Sequence, residues 1–414
     1  MRTILTIEGA DNTGANYLTW APVQASIRLV EVGAAAGPVA VVLRNANTAQ
    51  GGQVEFSNTL TGARRNRLQL NLPVNGNPVN FFVAGKFNRP STANKDAAIQ
   101  AVQASNGSVL STNSVMVRIR KNANRLTTAE RDRFLAAFAT LNNRGMGKFS
   151  DFRNVHTQIG TREAHFNFGF LPWHRAYLLD LERELQLIDP SVALPYWKFD
   201  ETARNVFTRG FMGVSVGGRV TFDPGNPLQF WVTDLTPGIL RSPRFNTMTS
   251  SAFVISEAQT LNLGSLYALF RSMEGSPHGD AHTSFGGYIS DIDTAAKDPL
   301  FFMLHANVDR MWAKWQRNNR RFDSTNTSTY TAQGSAGTPG SVRAGHNLND
   351  TMWPWNGITG GGRPPTAPGG PFPPSPVANA PGPTPTVRSM IDYQGVLNRA
   401  DRLGFAYDDV SFQP

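Results

Sequence analysis

Six of the seven histidines in this chain fall into two groups of three: His156, His165 and His174, then His278, His282 and His305. Few patterns restrict a fold more, because most of these positions can be placed on helices by their neighbours. The run Phe170-Leu-Pro-Trp-His174-Arg-Ala-Tyr-Leu-Leu-Asp-Leu-Glu182-Arg-Glu-Leu185 reads as a helix opening at Pro172, where proline suits a first turn. His174, Leu178, Leu181 and Leu185 share one face of it, so His174 points with the core stripe. Asp298 followed by Pro299 reads as an N-cap and first helical residue, and His305 then aligns with Phe301, Val308 and Trp312, again facing inward. His278 and His282 are four apart, which on a helix leaves roughly 5–6 Å between Cβ atoms and suits two ligands of one metal.

A lone inward histidine is ordinarily a satisfied core residue. Several at inward helical positions, with regular gaps between them, point instead to ligation. One site of three would suit hydrolytic zinc with an open water position. Two such sites without a bridging carboxylate, built from six neutral imidazoles, favour copper on affinity grounds. The chain has no cysteine, which removes disulfides, thiolate sites and zinc ribbons and leaves imidazole, carboxylate and backbone oxygen as the only donors. His346, in Ala344-Gly-His-Asn-Leu-Asn349, sits among loop formers and reads as a polar loop residue.

The formal charge of +9 raises the question of a nucleic-acid partner. The basic residues are interleaved with acidic ones (Arg131 and Arg133 beside Glu130 and Asp132), with no basic-aromatic stripe, so a solvated basic surface and no nucleic-acid partner is the expectation. No apolar run reaches the roughly eighteen residues of a transmembrane helix, so no membrane partner is expected either. The opening residues meet Glu8 too early for the apolar stretch of a secretory signal, making cytoplasmic residence the default and export with a partner protein the other route.

Three zones follow along the chain. Residues 1–110 hold short, β-branched or alternating runs (Ile4–Ile7, Ala25–Val32, Val39–Leu43, Val54–Phe56, Leu68–Leu72, Val79–Val83) separated by Gly, Asn and Pro turns, which predicts a β-sandwich or small barrel of unassigned role. Residues 115–414 make up the second expected domain, with helix-like periods from about 115 to 355. Within that domain, 357–386 contains ten prolines and seven glycines and reads as a long extended loop, and 388–414 regains apolar residues that should pack back on the body. The expected class is α+β, with a β-rich domain followed by a mainly helical one.

Taken together, the histidine motifs resemble those of the tyrosinase, catechol oxidase and molluscan-type haemocyanin family. For one copper the resemblance rests on His165 and, after eight intervening residues, His174 within Trp173-His174-Arg175. For the other it rests on His278-x-x-x-His282 and Asp298-Pro299-x-Phe301…His305-x-Asn307-x-Asp309-Arg310-x-Trp312. Glu182, Leu194-Pro-Tyr-Trp197 and Phe405-Ala-Tyr407 match further landmarks; the likeness covers about 115–414. It implies a four-helix bundle holding two copper ions, one on His156, His165 and His174 and one on His278, His282 and His305. The substrates it implies are dioxygen and a small phenol, with a copper-delivery or cover protein as a further partner. Asp309, one turn past His305, is a candidate to orient that ring.

Three departures bear on the reaction. Many relatives cross-link the second histidine of the first site to a cysteine; without one, His165 must be held by packing alone. Leu304 stands where relatives often have another histidine. Glu274 matches a glutamate thought to hold the water that deprotonates a monophenol, but Gly279 stands where efficient hydroxylating relatives have Asn or Asp. The implied activity is oxidation of ortho-diphenols to ortho-quinones with weaker monophenol hydroxylation; ortho-aminophenol oxidation and haemocyanin-like oxygen binding are the alternatives. Phe372 could shield the site or merely anchor the Pro-rich loop.

Overall fold

The computed structural model describes residues 1–8, 16–32, 37–46, 51–157, 163–332, 345–360 and 363–413. They divide into two compact units.

The first unit comprises Met1–Ile119, Ser375–Asn379 and Gln394–Pro414. Its strands are β1 (Arg2–Ile7), β2 (Asn16–Leu18), β3 (Val23–Val30), β4 (Val39–Asn45), β5 (Val54–Ser57), β6 (Arg67–Leu72), β7 (Val79–Gly85), β8 (Ala97–Gln103) and β9 (Val109–Val117). They form a four-stranded sheet, β1-β3-β7-β5, and a five-stranded sheet, β2-β9-β8-β4-β6, antiparallel except for the β2–β9 pair. Alternation in β3 and β6 buries every second side chain, as a half-buried strand requires. One apolar cluster draws on both sheets, with Ile27 and Leu29 packed in it with Val41, Leu43 and Ile99, so the architecture is a sandwich rather than a barrel.

Two boundaries differ from the sequence reading. Strands β8 and β9 have weak signals, Ala-Ala-Ile-Gln-Ala-Val-Gln and a run of Ser111, Thr112, Asn113 and Ser114, so the unit continues past residue 110 to Ile119. The segment from Gln394 onward belongs to this unit and not to the helical one. Ala406 and Phe412 enter the sandwich core, and Trp20 Nε1–H donates to Tyr407 O at 2.8 Å, so Phe405-Ala-Tyr407 serves the sandwich.

The second unit, Arg120–Pro374 and Ala380–Tyr393, carries helices α1 (Thr128–Asn142), α2 (Phe149–Thr157), α3 (Phe170–Ile188), α4 (Glu257–Leu261), α5 (Tyr267–Phe270), α6 (Asp280–Thr283) and α7 (Leu300–Asn319). Helix α1 begins with a full capping box, Thr127 and Glu130 each bonding the other's backbone N–H. Helices α3 and α7 are buried along most of their length, charged residues included, and form the centre of the unit. Asp298 caps α7 by accepting from Leu300 N at 2.9 Å while also pairing with the buried Arg241. The expected four-helix bundle is replaced by α2, α3 and α7 plus an irregular run. Residues 271–283 pass from 3₁₀ through a π-turn at Gly275–Gly279 into the short α6, because Ser276 before Pro277 is extended. Phe372 anchors the Pro-rich segment: it is buried against Trp355, centroids 5.6 Å apart, with the Arg183 guanidinium 5.2 Å from its ring centre. Among the described residues, no helix is long and apolar enough to cross a membrane.

Four buried charged residues join α3 to α7. Arg120 meets Glu182 through Nε at 3.1 Å and Nη2 at 2.9 Å, Arg120 Nη1 reaches Asp309 at 3.2 Å, and Arg175 Nε reaches Asp309 at 2.6 Å. Glu182 also accepts from Leu194 N at 2.8 Å, and Trp197 N–H donates to Met303 O on α7, which places the Leu194–Trp197 landmark. Replacing Glu182 with Leu leaves Arg120 and Arg175 to share the single carboxylate of Asp309 in the interior. The variant should lose about 3–5 kcal/mol of stability, read as a lowered urea midpoint.

Asp180 on α3 provides a pH test. Burial holds its carboxyl up to about 7, against the opposing donation from Trp355 Nε1 at 2.6 Å, with Glu184 adding repulsion. The unfolded chain releases this proton near 4, so between about pH 4 and 7 the folded state binds more protons and stability falls as pH rises. Asp180→Asn should therefore gain stability over the parent at pH 8 and match it at pH 4, by urea midpoints at both.

Candidate metal centre

Each histidine is delivered by a different local device. His156 ends α2, His174 lies in the first turns of α3, and His305 lies in α7. His278 sits in the π-turn and His282 in α6, still four apart. His165 lies in the irregular stretch leading to α3. One ligand atom each from His156, His165 and His174 lies within 4.8 Å of the others, and the same holds for His278, His282 and His305. The two groups face each other. The rings of His174 and His305 stack at 4.2 Å with an 11° tilt, and His174 and His278 are 6.4 Å apart. Phe301 covers His156 and His305 at 4.5 and 4.2 Å, and Phe170 lies 4.8 Å from both His174 and His278.

Backbone carbonyls set the tautomers. Nδ1–H of His156 donates to Ile292 O (3.1 Å), that of His174 to Phe170 O (2.9 Å), that of His278 to Glu274 O (2.7 Å) and that of His282 to Ile289 O (2.6 Å). With those protons placed, each Nε2 is left with a lone pair. Nε2 of His278 and of His282 stands 3.3 and 3.2 Å from His305 Nε2. Nε2 of His156 and of His174 is buried without a hydrogen-bond partner among the described residues. Converging lone pairs in a closed interior repel one another unless a cation lies between them, so the donor set fits a metal in each group. Nitrogens about 3 Å apart also suit metal–imidazole bonds of about 2 Å.

Burial keeps these rings neutral, the form that ligates. It pulls His156 down to about 3 and His282 to about 4, and holds His174, His278 and His305 well below the ordinary imidazole value, with neighbouring imidazoles adding to the effect at most of them. Asp309 does not orient His305 as its position on the helix predicts. Its carboxylate serves Arg175 and Arg120, and His305 Nδ1 has no hydrogen-bond partner among the described residues.

A pocket of about 270 Å³ opens onto both groups, lined by His156, His165, His278 and His282, by Phe166, Ile289, Ile292 and Ala295, and by Glu274 and Gly279. Glu274 Oε1 accepts from Phe166 N at 2.5 Å, and burial raises its carboxyl to about 7. Gly279 has ordinary helical dihedrals, and a Cβ there would meet only Glu274 O at 3.5 Å. Leu304 belongs to the core rather than the pocket lining.

Sequence reasoning missed the carbonyl partners, which no side-chain pattern encodes. It also missed His346: far from a loose loop residue, this side chain is fully buried, and its Nδ1 accepts from Gly169 N at 2.7 Å. The signal was Gly169 itself, where a Cβ would lie 2.6 Å from that nitrogen.

Residues 146–318 match the family model described as the common central domain of tyrosinase. A tyrosinase of Streptomyces glaucescens is 35% identical over 269 residues, covering 92% of that protein and 58% of this chain; one of Streptomyces antibioticus is 33% identical over 273 residues, covering 94% and 58%. Among solved structures, a functional unit of Octopus hemocyanin superposes with a TM-score of 0.47 at 20% identity, over 72% of this chain and 69% of that one.

The two groups should load independently. His174→Ala and His305→Ala should each retain one copper per chain where the parent binds two, measured by metal analysis after dialysis. Loss of both ions from either variant would contradict two separate three-histidine sites.

Proposed function

This chain belongs to the tyrosinase family of type-3 dicopper oxidoreductases, and from that premise we propose that it oxidises small ortho-diphenols to ortho-quinones and hydroxylates monophenols only weakly. The observation that carries this reading is the pocket, which sets Glu274 beside a residue without a side chain, Gly279, at the entrance to the histidines. When bound, the two copper ions supply dioxygen activation. Two catechols each give up two electrons and two protons, and one dioxygen becomes two waters.

The chain's own residues do the binding and proton handling. Phe166, Ile289, Ile292 and Ala295 give an apolar wall, and about 270 Å³, near the lower end of small-molecule sites, favours a single substituted ring. A monophenol carries a proton with a pKa of about 10, which must leave before the ring is hydroxylated. Glu274 is the acceptor: raised to about 7, it can take a proton near neutral pH. Any water it holds has no second anchor at Gly279, so this assistance is weak. A catechol, oxidised without ring hydroxylation, depends on it less.

Oxygen uptake by copper-loaded protein with a monophenol, the matching catechol and the matching ortho-aminophenol tests the reading. Fast uptake with catechol and slow uptake with monophenol is expected. Glu274→Gln should slow the monophenol by less than the roughly 10²-fold of a well-anchored general base and affect the catechol less still, and Gly279→Asn should raise the ratio of monophenol to catechol rates. A faster aminophenol rate would move the assignment to an aminophenol oxidase. No uptake with any substrate despite two bound coppers would overturn the enzymatic reading in favour of oxygen binding.

A further inference from the structure

His165 differs from the other ligands of its group because it lies in an irregular stretch: the described residues 164–169, up to the start of α3 at Phe170, are turns and bends. Phe166 beside it adopts a left-handed backbone, φ 60°, so the stretch needs fixing from outside. The chain has no cysteine to supply a covalent tether.

Hydrogen bonds supply it instead. Glu163 Oε2 accepts from Trp353 N at 3.0 Å, and its other oxygen pairs with Arg363. Glu274 takes the Phe166 N–H. At the far end, Tyr267 Oη donates to Phe168 O at 2.6 Å, and Gly169 N donates to His346 Nδ1 at 2.7 Å. His346 is itself held, its carbonyl accepting from Tyr330 Oη at 2.5 Å, and Tyr330 packs on Tyr267 with ring centres 4.6 Å apart. Tyr267, Tyr330 and His346 therefore close on two adjacent backbone groups, Phe168 O and Gly169 N, where the stretch carrying His165 becomes the helix carrying His174.

We propose that His346 is a positioning residue for the first metal group: through Gly169 it fixes the approach of His165 and the start of α3. Its acceptor nitrogen must be unprotonated, which places the ring proton on Nε2. The inference rests on the two-copper reading, although it is independent of which phenol is oxidised. Gly169 adjoins α3, which carries a ligand of the first group, whereas His278, His282 and His305 sit on the π-turn, α6 and α7, so the role is confined to one ion.

Copper release into a chelator from fully loaded protein tests this. His346→Leu removes the acceptor. One ion of the pair should then leave about 10–100-fold faster than in the parent, the usual effect of losing a group that orients a ligand, while the other keeps its rate. The Cu(II) left behind should reproduce the magnetic-resonance spectrum of His174→Ala rather than that of His305→Ala. His346→Asn, whose amide oxygen can stand in for Nδ1, should restore the slow rate, an outcome that simple cavity repair would not give. Should His346→Leu not fold, Tyr330→Phe removes only the hydroxyl that seats His346 and should loosen the same ion. Unchanged release, equal acceleration of both ions, or no rescue by Asn would overturn the proposal. A parent that fails to bind two coppers would instead overturn the reading beneath it.

Discussion

The two long helices of the metal-binding unit could slide or rotate against each other if apolar contacts alone joined them. Arg120, Arg175, Glu182 and Asp309 prevent this. All four are essentially buried, and each carboxylate meets guanidinium donors in directions that a shift of one element would break. Burying such a group costs several kcal/mol per ion, so its value lies less in net stability than in admitting one arrangement. Arg175 adjoins His174, and Asp309 lies one turn beyond His305. Stacking of the Arg175 guanidinium on Trp312 at 3.7 Å and over Tyr393 at 4.5 Å removes its remaining freedom. The arrangement that satisfies the charges is also the one that stacks His174 on His305 at 4.2 Å.

That rigidity lets the ligand set be wholly neutral. Carboxylate partners could orient the imidazoles, but they would bring negative charge against the ions; carbonyls at Phe170, Glu274, Ile289 and Ile292 fix the tautomers without it. The charge of bound copper then remains uncompensated within the ligand set and available to an anion entering the pocket. Burial, which lowers the pKa of the same rings, works in the same direction by keeping them unprotonated.

Much of this centre was legible because helical periodicity is a strong signal: the faces defined by Leu178 and Leu181, and by Phe301 and Trp312, aimed His174 and His305 correctly. The region around His278 was legible only in spacing. The ligands are four positions apart, but Ser276 and Pro277 turn the segment into a π-turn that no periodicity announces. Partners that are backbone atoms leave no trace in residue identity, so the carbonyl set was invisible, and His346 left only the indirect mark of Gly169. In the sandwich, β3 and β6 followed their alternation, whereas the alanine-rich β8 and the polar β9 took strand form from their neighbours.

The glycines near the site separate what the fold demands from what the chemistry selects. At Gly169 a Cβ would collide with His346 Nδ1 and with Glu163 O, 2.8 Å away, so that glycine is required by the close approach that holds the loop. At Gly279 the dihedrals suit any residue, and the nearest atom to the place a Cβ would occupy is 3.5 Å away. No backbone or packing argument therefore explains its missing side chain. What remains is its place in the pocket wall beside Glu274, where a polar side chain would add a second acceptor for water or a phenolic proton. The absence of that group is a property of the pocket's chemistry, free to change without disturbing the histidines around it.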